Sequence, residues 1–536
     1  MCNCKTISAC FLMAAISLSA WGQAPQRNLY DFSFIQDANP WLTSSNAAGL
    51  GTLQVDRTSI VEAEFNKEDG GLIPVEGSDN SWLAGAQTES FVKISDRIAF
   101  HGKLSYSYFH GNNMGGHYLM DPSYNPINFL ESVKDNNGVK VRELYGLLGG
   151  ISYSFNDKWS IGAEIGYETG SYAKRKDARP KSNWMSLDIT AGMRFAPSRN
   201  FAGGLNLKYA RTTENLVCSI FGTTGTQYYT LIDYGGYFGK IESLDSESGY
   251  ISTSDPGNPM INTFYGGSLQ LVFGNADRTQ FFNEISYLSR SGYFGERKYN
   301  SVVFCEFGGS EISYNGILDI RRGTSLHRIN LYGEYAGIVN NENIYRRTTA
   351  AGENTVVEYF GQNEILDQTD IKGHLSYTGY LGVSQNRPEW EYGIDIDGTF
   401  MTARTTYYPF YRDRDLITMQ AVLHGRKNFK VTKNIFTVGL AAGYYIGTGT
   451  KNSDGAYATS TSDNLRTDDG YLNLDFEYDT ASRVFGTLCF RYTRLFGDKA
   501  AVYIDIRDTW NQTMEKPVYL SSGYRNSFTV TLGCAF

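Results

Sequence analysis

From about Thr52 to the C-terminus the chain repeatedly alternates apolar with polar residues. Leu187, Ile189, Ala191, Met193 and Phe195 are interleaved with Asp188, Thr190, Gly192 and Arg194. Ile312, Tyr314, Leu318 and Ile320 repeat the pattern against Glu311, Ser313, Asp319 and Arg321, and Val502, Ile504 and Ile506 repeat it against Tyr503, Asp505 and Arg507. A period of two predicts strands with one apolar and one polar face. In a soluble sandwich the apolar face meets a second sheet; in an outer-membrane barrel it meets lipid while the polar face lines a wet interior.

Three features favour the barrel. Charges of both signs are frequent on the polar face. Aromatic pairs stand near expected strand ends, as at Tyr228-Tyr229, Tyr407-Tyr408 and Tyr444-Tyr445. Connections alternate between short and long. The short ones carry turn residues: Ser95–Arg97, Asn156–Lys158, Ala196–Arg199, Gly274–Asp277 and Gly497–Ala500. The long ones run over Gly111–Gly138, Gly222–Ile261, Thr348–Asp370 and Thr450–Gly470. Long, Gly- and Ser-rich segments are unusual within a compact domain but normal on the outer side of a barrel. The expected fold is therefore an all-β, antiparallel transmembrane β-barrel of roughly 18 strands (about 16 to 20), with short periplasmic turns and long extracellular loops. One segment resists the count. Leu472, Leu474, Phe476 and Tyr478 alternate with Asn473, Asp475, Glu477 and Asp479. Reading it as a spanning strand breaks parity, so it is either a strand above the membrane or the sign of a miscount elsewhere. Val302–Phe307 is ambiguous in the same way.

The chain ends on Phe528, Val530, Leu532, Cys534 and Phe536, alternating with Thr529, Thr531, Gly533 and Ala535. This resembles the last strand of bacterial outer-membrane barrels, whose terminal aromatic is read by the barrel assembly machinery. By that resemblance Phe528, Val530, Leu532 and Phe536 form the assembly signal. The last strand must pair with the first, because an open edge in lipid leaves backbone groups unsatisfied.

At the other end, Lys5 precedes an apolar run from Ile7 to Ala20, and small residues at Ala20 and Gly22 precede Gln23. That is a secretory signal peptide, residues 1–22, cleaved after Gly22. A lipoprotein signal using Cys10 is disfavoured, since Cys10 precedes most of the apolar run. Cleavage leaves Cys218, Cys305, Cys489 and Cys534, too far apart for a zinc motif. No stretch reaches the roughly 18 apolar residues of a membrane helix. With 48 basic against 56 acidic residues, a net charge of -8 and a pI near 5.5, nucleic acid is not an expected partner.

Residues 23–51 precede the barrel of residues 52–536 as a periplasmic or hatch-like segment. Its Asn39-Pro40-Trp41-Leu42 and Ser44-Ser45-Asn46-Ala47-Ala48-Gly49-Leu50 resemble segments near the start of the long-chain fatty-acid transporter family of barrels. In that family the segment folds into the lumen as a hatch; here Asn46-Ala47 stands where the family has Asn-Pro. The mature chain as a whole resembles an outer-membrane barrel family of unknown function, domain of unknown function 6850, through the signal, Asn-Pro-Trp-Leu, the Tyr-rich strands and the terminal Phe. That resemblance implies a place beside TonB-dependent transporters and their surface lipoproteins, and a role in nutrient or metal uptake.

The expected lumen-lining charges are Asp188, Arg194, Lys208, Asp319, Arg321, Glu334, Asp395, Asp397, Asp505 and Arg507, with Asp475 and Glu477 on the ambiguous segment. Their mixed signs point to internal pairing or a plugged interior rather than to a sign-selective pore. His110, Met114, His117 and Asp121 are weak candidates for a metal site in an outer loop; solvated loop residues are the commoner explanation. The acidic runs Asp245–Glu247 and Thr467–Gly470 lack the order of a calcium loop. His-Glu-x-x-His, Gly-x-Ser-x-Gly and Walker A patterns are missing, so no enzyme activity and no cofactor are expected. The functional expectation is transport across the outer membrane, as a channel or as an accessory subunit of a TonB-dependent system. The alternatives are an envelope structural or assembly protein and, less favoured, a barrel hydrolase.

Overall fold

The computed structural model describes residues 31–120, 122, 125–131, 136–222, 225–244, 249–253, 257–348, 355–459, 467, 469–497 and 500–536. The expected signal peptide, Asp121 and the Asp245–Glu247 run lie outside the described residues.

In chain order the strands are β1 (Arg57–Asp69), β2 (Asn80–Ser95), β3 (Ile98–Met114), β4 (Asn128–Glu131), β5 (Gly138–Ser154), β6 (Trp159–Lys174) and β7 (Arg179–Ser198). There follow β8 (Phe201–Ser219), β9 (Tyr229–Asp233), β10 (Gly239–Ser243), β11 (Asn258–Asn275), β12 (Thr279–Gly295), β13 (Val303–Arg322) and β14 (Ser325–Thr348). The last are β15 (Val356–Leu381), β16 (Trp390–Tyr407), β17 (Phe410–Val431), β18 (Asn434–Ala456), β19 (Arg483–Phe496), β20 (Ala500–Thr513) and β21 (Tyr524–Ala535). Eighteen of them form one closed antiparallel barrel; β4, β9 and β10 form a separate three-stranded sheet. Closure runs from Ile60↔Ala535 to Asp69↔Asn526. One residue further on, Ser59 and Phe536 exchange backbone hydrogen bonds of 3.0 Å each way. This end, where β1 begins and Phe536 ends, is called the lower end here.

The period-two pattern decides which side chains face out. Ile189 is 40% exposed and Met193 44%, whereas Thr190 is 9% exposed within the barrel. The outer wall also changes character with height. Tyr335↔Ile371↔Phe400↔Ile417 form one cross-strand row of exposed apolar side chains. Four residues further from the lower end, on the same face, the row reads Val339↔Asp367↔Arg404↔Asp413. Strands β14, β15, β17 and β18 have 24, 26, 22 and 23 residues, about twice the 9–11 needed to cross a bilayer. They carry one side of the wall well beyond the apolar band.

Two structures fill the ends. At the lower end residues 32–53 lie against the inner wall. They comprise α1 (Phe32–Asp37), α2 (Pro40–Thr43) and a 3₁₀ turn (Ala47–Thr52), whose starts are capped by the side chains of Asp31, Asn39 and Asn46. Pro40 opens α2, where a missing N–H costs nothing. At the upper end the β10-β9-β4 sheet and α3 (Asp469–Thr480) form a cap. Ile127, Phe129, Ile232 and Tyr234 of the cap share a buried cluster with Phe294, Phe304 and Cys305 of the rim.

The structure corrects several expectations. Leu472–Asp479 is helix, not strand: β18 pairs directly with β19 from Asn434↔Arg494 to Tyr445↔Arg483, so no open edge is offered to an intervening strand. The helix, α3, buries Tyr471 and Leu472 against Leu231 of β9 and Tyr237 of the β9–β10 connection. Of the ambiguous Val302–Phe307, all but Val302 form the start of β13. The expected loop over Thr348–Asp370 is mostly the extension of β15, paired with β14 as far as Thr348↔Val356.

Candidate functional site

The lumen between the lower segment and the cap is the candidate site, and its floor is built by small polar residues. Ser44-Ser45-Asn46 reaches the wall where β7, β8, β11 and β12 present inward polar side chains. Asn46 Nδ2 donates to Gln270 Oε1 at 2.9 Å and to the Met193 carbonyl at 3.0 Å, while Asn46 Oδ1 accepts from the Ala48 N–H. Ser45 Oγ lies 2.7 Å from Ser268 Oγ and donates to Glu284, and Asn206 Nδ2 donates to the Ser45 carbonyl at 2.9 Å. Ser152 and Ser160 both donate to the Ala48 carbonyl at 3.2 Å. Glycine permits this approach: a Cβ at Gly162 would collide with the Ala48 nitrogen, and one at Gly192 with Asn46 Oδ1.

Apolar contacts complete the seal. Trp41 packs edge-on against Phe282 at 5.4 Å, beside Val272 and Ile317. Phe34 meets Tyr380 and Leu326. Phe32, Leu50 and Leu53 cluster with Phe91 and Ala99. Burial pushes Asp37, in α1, up to about 6 despite the opposing Arg328.

The charges expected in the lumen fall into three groups. Arg194 stacks over the Trp41 ring at 5.0 Å, and Arg321 donates to the Ala38 carbonyl at 3.1 Å, so both hold the lower segment. Asp319 forms a buried bidentate pair with Arg328 at 2.7 and 2.6 Å just above it. The second group pairs across the wall: Asp188–Lys208 at 3.0 Å, Glu334–Lys372 at 3.0 Å, Asp397–His374 at 2.7 Å and Asp395–His424 at 3.1 Å. Asp505 approaches Arg491 at 3.6 Å and Cys489 Sγ at 3.6 Å, and Arg507 lines the same recess. The third group is not on the barrel wall. Asp475 and Glu477 belong to α3: Asp475 reaches Arg414 at 3.5 Å, and Glu477 accepts from the N–H groups of Val518, Tyr519 and Leu520 at 2.6 to 2.8 Å.

The loop candidates for a metal are not brought together. His110 stacks on Trp82 at 5.6 Å on the outer wall, whereas Met114 and His117 are buried, His117 facing Tyr237 of the cap. Among the described residues no cluster of three or more His, Cys, Asp or Glu side chains is arranged to hold a metal ion.

Under the cap is a chamber of about 450 Å³, bounded by Asp233, Tyr234 and Tyr237 of the cap, Asp475 of α3, and Lys372 and Arg414 of the wall. The cap is fastened to the rim by Arg412, which forms a bidentate pair with Asp454 at 2.8 Å and donates to the Gly236 carbonyl at 3.1 Å. Tyr234 donates to Glu342 at 2.9 Å. Burial pushes Asp233 up to about 6 even though it accepts from the Gly235 and Phe238 N–H groups.

Sequence reasoning placed Ser45 in the hatch-like segment but missed its partners on the wall, Ser268, Asn206 and Glu284, and the Asn46 partner Gln270. Their inward parity was readable, since Ser268 and Gln270 alternate with Leu269 and Leu271, but nothing in the pattern marks which polar positions meet the lower segment.

Fold and lumen together define a closed antiparallel β-barrel with an apolar outer band, a polar interior and an occupied lumen at both ends. The chain belongs to the family described as a family of unknown function, DUF6850, which matches residues 47–536. No curated protein matches it. Solved structures similar to it include the ferric preacinetobactin receptor BauA of Acinetobacter baumannii, at 9% identity over 90% of this chain and 79% of that one, TM-score 0.39. The toluene transporter TodX of Pseudomonas putida is 11% identical over 96% and 99% of the two chains, TM-score 0.29. The siderophore receptor PirA of Pseudomonas aeruginosa is 10% identical over 90% and 81%, TM-score 0.35. At these TM-scores the likenesses carry no functional argument.

Proposed function

We propose that this chain is an outer-membrane transport barrel whose lumen is shut from below by residues 32–53 and narrowed from above by the cap, and which passes a polar solute when the lower segment shifts. One observation carries the reading. Beside its apolar contacts, the lower segment is tied to the wall by side-chain hydrogen bonds at Ser45 and Asn46, attachments that can be exchanged for water. A purely structural barrel needs no such reversible filling. The change from apolar to charged side chains along β14 to β17 supports membrane embedding, and the short turns at the lower end support a periplasmic lower face. Conductance in planar bilayers tests the reading: the native barrel should open rarely and the Asn46→Leu barrel often.

The finer form of the proposal is an accessory role beside a TonB-dependent nutrient or metal transporter, with a surface lipoprotein as a second partner. The tall side of the wall, β14 to β18, extends above the band and offers charged positions such as Asp367, Arg404 and Asp413 for such contacts. Co-purification of the native complex from outer membranes decides between the accessory and the free-standing channel.

A further inference from the structure

The chamber beneath the cap has a largely acidic charged lining. Four carboxylates line it among the described residues, Glu76, Asp233, Asp370 and Asp475, against two cations, Lys372 and Arg414. Both cations are already engaged, Lys372 by Glu334 at 3.0 Å and Arg414 by Asp475 at 3.5 Å. By formal charge the lining is therefore acidic, and burial holds the Asp233 and Asp475 carboxyls above their ordinary range.

His117 adds an independent observation. Its side chain lines the chamber, is 6% exposed, and its Nδ1 is buried without a hydrogen-bond partner. Burial, with Lys140 nearby, pushes it down to about 3, so the ring is neutral and one nitrogen holds a lone pair. Asp233 is held up by burial and becomes a better carboxylate when a cation arrives beside it. Tyr237 supplies an aromatic face on the same side, packed against His117 at 6.0 Å.

Acceptors in excess, a neutral imidazole and an aromatic face call for a ligand that is cationic and rich in N–H donors. A bare metal ion does not suit a chamber of about 450 Å³ in which, among the described residues, no three His, Cys, Asp or Glu side chains converge. We propose that the chamber binds an organic solute through an ammonium group, with Asp233, Asp370 and His117 as its acceptors. This rests on the transport reading and names the class of solute that reading leaves open.

Equilibrium dialysis of the full-length barrel in detergent against radiolabelled spermidine tests it. The expected result is saturable binding that a large excess of maltose does not displace. Asp233→Asn and Asp370→Asn should each weaken it at least tenfold. Asp370 sits on the barrel wall, so its variant remains informative if the cap variant misfolds; heat-modifiable mobility reports folding in each. Absence of saturable binding, indifference to both substitutions, or displacement by maltose would overturn the proposal. Bilayer openings of the Asn46→Leu barrel without spermidine binding would defeat this inference alone, whereas lack of openings counts against the transport reading whatever spermidine does.

Discussion

Asn46 of the lower segment donates through Nδ2 to Oε1 of Gln270 on the barrel wall at 2.9 Å, across 224 residues of sequence, and both side chains are buried. The same Nδ2 reaches the Met193 carbonyl. One amide thus ties α2 and the 3₁₀ turn to two separate strands.

Asn46→Leu should release that tie. The buried Gln270 amide loses a partner, which costs about 1–3 kcal/mol, and the lower segment should leave its seat more often. The expected outcome is an unchanged quantity of heat-modifiable barrel with frequent bilayer openings.

The row Tyr335↔Ile371↔Phe400↔Ile417 predicts where charge is refused. Ile417→Arg should cost roughly 2–4 kcal/mol if the row lies near the bilayer midplane, less toward the interfaces, and should lower the yield of assembled barrel. Thr418 faces the lumen, where its Oγ1 meets Thr399 Oγ1 at 2.6 Å; Thr418→Arg should assemble normally. Thr418 is chosen over the inward Thr190, which is only 9% exposed and lies two residues from Gly192, where an added Cβ would meet Asn46. Heat-modifiability on gels reads both variants.

Phe536 closes the barrel by exchanging backbone bonds with Ser59, and the Arg57 guanidinium lies over its ring at 4.9 Å. Deleting Phe536, or changing it to Asp, should reduce assembled barrel. Native levels of heat-modifiable protein in the deletion would count against the role of the terminal aromatic.

The cap should tighten on acidification. Burial pushes Asp233 up to about 6 and, with Asp475 adding to it, Asp479 up to about 7; Arg414 opposes both shifts. Between about pH 4, the ordinary carboxylate range, and about pH 7, the folded cap holds protons that the unfolded segment releases. Its stability therefore falls as pH rises through that window. Hydrogen exchange in residues 229–243 and 471–480, corrected for intrinsic rates, should be faster at pH 8 than at pH 5. Asp233→Asn should flatten part of that difference.

Much of the barrel was legible in the chain. Ile189 against Thr190 and Ile504 against Asp505 fix faces by parity, and Phe528 to Phe536 mark the closing strand, because a strand's period of two is local. The cap was not legible. Leu472 to Asp479 alternates as a strand does, yet folds as helix because β18 and β19 already satisfy each other. Nor could local pattern reveal that Ser45 and Asn46 meet residues more than 140 positions away; such contacts depend on barrel closure. The inward charges were readable as inward, but their partners, such as Lys208 for Asp188, follow from strand register.

The most direct test of the central claim uses Ser45 and Ser268, whose Oγ atoms lie 2.7 Å apart. A Ser45→Cys/Ser268→Cys barrel should form a disulfide that locks the lower segment to β11. In planar bilayers the barrel should be silent when oxidised and should open repeatedly after reduction. Equal conductance in the two states would contradict it, because solute would then pass without movement of the segment that fills the lumen.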